Sequence, residues 1–72
     1  MNDYLYTVAT LVDKKRFEVV KGWNTENGLS VGDYGQASEY VKEHDGETRY
    51  FVFRVKQYQA GSDTVKEMAI VG

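Results

Sequence analysis

The 72-residue chain predicts an α+β domain of order β-β-α-β-β, a four-stranded, mainly antiparallel sheet with one helix packed on one face. Three observations predict it. Alternating runs rich in aromatic and β-branched residues stand near both ends of the chain. One segment between them carries apolar residues at helical spacing. Proline is absent, so every residue after the first keeps a backbone N–H for a strand ladder.

The first strand reads Tyr4-Leu5-Tyr6-Thr7-Val8-Ala9-Thr10-Leu11-Val12. Both of its faces are fairly apolar, which places it in the interior of the sheet. Asp13-Lys14-Lys15-Arg16 is a polar turn, and Phe17 to Gly22 or Trp23 is the second strand, so the pair reads as a hairpin. Phe17, Val19 and Trp23 share one face of that strand, with Glu18 and Val20 opposite. Residues 24–33 are loop, punctuated by Asn27-Gly28 and Gly32. Tyr34, Ala37, Tyr40, Val41 and His44 then form one helical stripe. Asp33 is the expected N-cap, with Gln36 completing a capping box, and Gly46 is the expected left-handed residue after the helix. Arg49 to Tyr58 is the third strand, with Phe51, Phe53 and Val55 on one face and Tyr50, Val52, Arg54, Lys56 and Tyr58 on the other. Ala60-Gly61-Ser62-Asp63 is a turn, and Val65 to Val71 is the fourth strand, with Met68 and Ile70 on one face.

Size and composition bound the function. The length suits one domain, residues 1–72, burying about 60% of the surface of the unfolded chain. No cysteine is present, so neither a disulfide nor a thiolate metal site is expected. The net charge of −2 is not the basic footprint of a typical nucleic-acid binder. The longest apolar run is far below the ~20 residues that span a bilayer, so no membrane association is expected. Met1-Asn2-Asp3 places an acid where an export signal carries lysines, and the expected location is cytoplasmic.

One helix covers only one face of such a sheet. The more apolar set, Phe51, Phe53 and Val55, is expected beneath it, leaving Tyr50, Arg54, Lys56 and Tyr58 displayed on the open face, joined by Tyr4 or Tyr6. Tyrosine and arginine suit interface hot spots, although both also serve as ordinary solvated strand residues. Trp23 either staples the loop over the helix or stands exposed as an anchor. A rival contact surface is the acidic helical segment, with Glu39, Glu43, Asp45 and Glu47, whose plainer role is a solvated face. Lys14-Lys15-Arg16 could touch an acidic partner, but such clusters commonly just solubilise a turn.

No catalytic, metal or cofactor site is expected. His44 is the only histidine, and Asp45 and Glu47 beside it match no zinc spacing. A cation at a helix C-terminus is explained by the helix dipole. Gly28, Gly32 and Gly35 precede the helix without the Lys-Ser/Thr pair of a phosphate loop. The size, the lack of proline and cysteine and the plain element order resemble small accessory proteins of phages and mobile elements, many of which inhibit host enzymes. That resemblance implies a non-enzymatic protein-binding module that blocks or modulates a larger protein complex. The alternatives are a single-stranded nucleic-acid binder using the open sheet face, and a structural subunit that self-associates as a homodimer through a strand edge.

Overall fold

The computed structural model describes residues 4–71; Met1-Asn2-Asp3, with the acid weighed against an export signal, lies outside the described residues. The elements are β1 (Leu5–Val12), β2 (Arg16–Val19), α1 (Tyr34–Glu43), β3 (Tyr50–Gln59) and β4 (Thr64–Ile70). One curled sheet has the order β2-β1-β3-β4, with every neighbouring pair antiparallel. The expected α+β architecture is therefore present, and β1 is interior, as its two apolar faces require.

The β1–β2 turn holds Asp13 and Lys14 at φ 54 and 58, closed by Lys15 N–H donating to Val12 O at 3.1 Å. Two consecutive positive φ values suit the right-handed twist of the flanking strands. β2 is shorter than its apolar run suggests. Its last ladder contact is Val20 N–H to Val8 O, after which Gly22, at φ 66, turns the chain away from the sheet. The gap left beside β1 is filled by Gly32, which exchanges both backbone hydrogen bonds with Tyr6. A Cβ at Gly32 would collide with Asn24 Nδ2 and Gln36 Oε1, so a side chain there has to displace two hydrogen-bonded amide groups.

The helix starts where its cap predicts. Asp33 Oδ1 accepts from Gln36 N–H at 2.8 Å, and Gln36 Oε1 accepts from Asp33 N–H at 3.0 Å. Its end differs from expectation. His44 is the C-cap, its N–H donates to Tyr40 O, and its ring stacks on Tyr40 at 3.8 Å. Gly46 is not left-handed; the helix closes at His44 instead.

The largest correction concerns which face the helix covers. Ala37 packs with Val8 and Trp23, and Tyr6, Val20, Tyr40, Val41, Tyr50 and Val52 pack around them. The helix therefore stands on the face of Tyr50 and Val52, not on that of Phe51, Phe53 and Val55. Trp23 explains the choice. Thrown out of the sheet by the Gly22 turn, its ring meets Tyr40 at 5.9 Å, and Tyr40 meets Tyr50 at 5.6 Å. A tyrosine buries its ring much as phenylalanine does while keeping its hydroxyl wet, so ranking alternate positions by apolar character undervalues it.

Candidate functional site

The register carries the opposite face across all four strands. Leu11 lies opposite Phe17, Ala9 opposite Phe51, Thr7 opposite Phe53, and Phe53 opposite Ile70. Directly opposed residues share a face, so Phe17, Leu11, Phe51, Phe53 and Ile70 lie together. Small Ala9 lets the Phe17 ring cross β1 to reach Phe51 at 5.4 Å and Phe53 at 4.8 Å, both edge-to-face. Phe53 and Val55 are buried, whereas Leu11, Phe17 and Ile70 remain 43%, 37% and 57% exposed. A shallow groove beside this row is lined by Leu11, Glu47, Thr48, Arg49 and Phe51.

The other half of this face is closed where residues 29–32 meet the β3–β4 turn. Thr7 is fully buried and donates to Ser30 O at 2.7 Å, which also accepts from Trp23 Nε1–H at 2.8 Å. Asp63 locks this corner. Its carboxylate accepts from Ser30 N–H at 3.0 Å, from the Ser30 hydroxyl at 2.7 Å and from the Tyr58 hydroxyl at 2.7 Å, and its carbonyl accepts from Lys21 Nζ at 2.8 Å. Desolvation pushes the Asp63 carboxyl up, but the Ser30 and Tyr58 hydrogen bonds, with the Lys21 charge, outweigh it, and the pKa is lowered. The Tyr58 hydroxyl moves up, first through its bond to Asp63 and then through burial and the carboxylate charge.

Of the residues singled out from the sequence, Tyr50, Tyr6 and Trp23 are drawn into the packing around the helix. Tyr50 is half-buried beneath the helix against Tyr40, and burial, then the neighbouring Tyr50, raises the Tyr40 hydroxyl. Tyr6 is half-buried and meets Tyr34 edge-to-face at 5.4 Å. Trp23 is 4% exposed and acts as the staple, leaving too little surface for an anchor. Arg54, Lys56 and Tyr58 share Tyr50's face beyond the helix: Arg54 stacks over Tyr4 at 3.9 Å, Lys56 is exposed, and Tyr58 serves the Asp63 corner. Tyr50 is thus withdrawn from the expected surface, while Arg54, Lys56 and Tyr58 stay on one face with half-exposed Tyr4. The Lys14-Lys15-Arg16 cluster is exposed at the β1–β2 hairpin.

Glu39 and Glu43 rim a groove of about 140 Å³ with Glu26, over Trp23 and Tyr40. Glu26 is already engaged, accepting from Gln36 Nε2–H at 2.9 Å. Asp45 and Glu47 lie beyond the helix end and are exposed. Among the described residues, no group of three or more His, Asp or Glu side chains is arranged to hold a metal ion, and no helix is long and apolar enough to cross a membrane. Compared with known proteins, the chain matches no family model, no curated protein and no solved structure.

Sequence reasoning found Phe17, Phe51 and Ile70 as apolar strand residues but assigned Phe51 to the covered face. No local signal marks the open row, because it depends on Ala9 lying opposite Phe51 across strands far apart in the chain.

Proposed function

We propose that the chain is a small, non-enzymatic protein-binding module that works through the open half of its sheet. Its protein partner packs against the apolar surface there. One observation carries this reading: Leu11, Phe17 and Ile70 are exposed on the face opposite the helix and are joined across the four strands by half-buried Phe51 and buried Phe53. Scattered exposed apolar residues are ordinary, but a contiguous row rimmed by charged residues such as Glu47 and Arg49 suits a docking surface. Flat base-stacking platforms are scarce in it, because Leu11 and Ile70 have no ring to offer, so the nucleic-acid reading ranks lower.

A photo-crosslinking amino acid placed at Leu11, and separately at Glu43 on the helix, tests the assignment in the cells that make the protein. Protein adducts from position 11 and none from position 43 are expected. Adducts from position 43 alone would move the contact to the acidic helix. A nucleic-acid adduct from position 11 would replace the protein partner.

A further inference from the structure

We propose that a second copy of this chain covers the open half of the sheet, packed sheet against sheet about a two-fold axis. The proposal rests on the protein-binding reading above and names the partner. Charge supports it first. Among the strand residues that share the face of Phe53, only Lys66, near the β3–β4 turn, is charged. Burying the open half against its own copy therefore traps no unpaired charge within the strands. The helix side is acidic: Asp33, Glu39 and Glu43 stand on α1 and its cap against Lys42. A sheet-to-sheet pair puts these acidic segments on opposite outer surfaces, where their repulsion is weakest. The rim beside Leu11 and Phe51 carries both signs, Glu47 and Arg49. A self-complementary contact needs such a mixture, because each copy must present what the other accepts.

Shape and edge chemistry point the same way. Stacked sheets lie about 10 Å apart with interdigitating side chains, and the exposed Phe17, Leu11 and Ile70 are large enough to fill such a layer. The edges are poor alternatives. β2 has four residues, and β4 is interrupted by Glu67 at φ 51, so neither edge offers a long regular ladder to another strand. The isolated core is also small: among the described residues, the buried hydrophobic ones are Val8, Ala9, Trp23, Val31, Ala37, Phe53 and Val55. Domains of this size commonly supplement such a core by association.

Sedimentation equilibrium from about 1 to about 300 μM tests the proposal, and that range covers dissociation constants that a modest apolar contact gives. The expected mass rises from one chain to two and no further. Leu11→Lys and Ile70→Lys, both at exposed positions, should each weaken the dimer at least about tenfold, while Glu43→Lys on the helix should leave it unchanged. A dilution series of the unsubstituted, 15N-labelled chain needs no variant. Its concentration-dependent amide shifts should centre on Leu11, Phe17, Phe51 and Ile70. A single-chain mass throughout the range overturns the second copy as partner. The protein-binding reading then stands or falls separately on the position-11 crosslink. A dimer indifferent to both lysine substitutions, shifts centred on β4 or the helix, or open-ended assemblies would overturn the face-to-face pairing.

Discussion

Glu67 stands in the middle of β4 with φ 51, in a region that costs an L-residue with a Cβ about 1–2 kcal/mol. Its side chain is exposed, so replacement sacrifices little packing. Glu67→Gly should stabilise the chain by about 0.5–1 kcal/mol in urea titrations, with relief of strain partly offset by the greater freedom of the unfolded glycine. Gly32 is the opposite case. Gly32→Ala forces a methyl group into Asn24 and Gln36, and should cost about 1–3 kcal/mol, read as a lower urea midpoint. Asp63 makes stability depend on pH. Its folded pKa is depressed, so its contribution is complete above the unfolded carboxylate range and is lost as pH falls through the folded value. Asp63→Asn should flatten the acid limb of a stability-against-pH curve, and thermal melts across that range read the slope. Glycine punctuation and the unusual demand at Gly32 differ in legibility. The turn signal is local, but the collision partners lie eight and four residues away and meet only in the fold.

At the level of elements, α1 depends on its cap. Asp33→Ala removes the acceptor for Gln36 N–H and should cost about 1 kcal/mol, measured by the loss of helical signal together with a lower melting temperature. That cap was legible because it is a four-residue pattern. The strands were legible for the same kind of reason: alternation is local, and β1, β3 and β4 begin and end within a residue or so of their sequence limits. β2 was overestimated because Gly22 ends it by a backbone turn that apolar character does not report. The expected left-handed Gly46 is not used, because His44 caps the helix itself, its N–H donating to Tyr40 O while its ring stacks on Tyr40.

The whole molecule has two unlike sides. One carries the helix, its acids and the Trp23 staple, and the other carries the partly closed apolar face. Asp63 joins them at a corner, reaching Ser30 across 33 residues of sequence and offering its carbonyl to Lys21 across 42. Disrupting that corner should open the sheet before the helix unpacks. Asp63→Ala is therefore expected to increase hydrogen exchange at Thr7 and Ser30 more than at Ala37, and uniform acceleration would refute this order. By itself the sequence determined the element order, the helix cap and the interior place of β1, because each follows from patterns confined to a few neighbouring residues. Only the tertiary structure decided which side of the sheet the helix covers. Both sides carry enough apolar area to be buried, and the choice turns on Trp23, Tyr40 and Tyr50 meeting across distant segments. That choice withdrew Tyr50 beneath the helix and left the row of Leu11, Phe17, Phe51 and Ile70 facing outward.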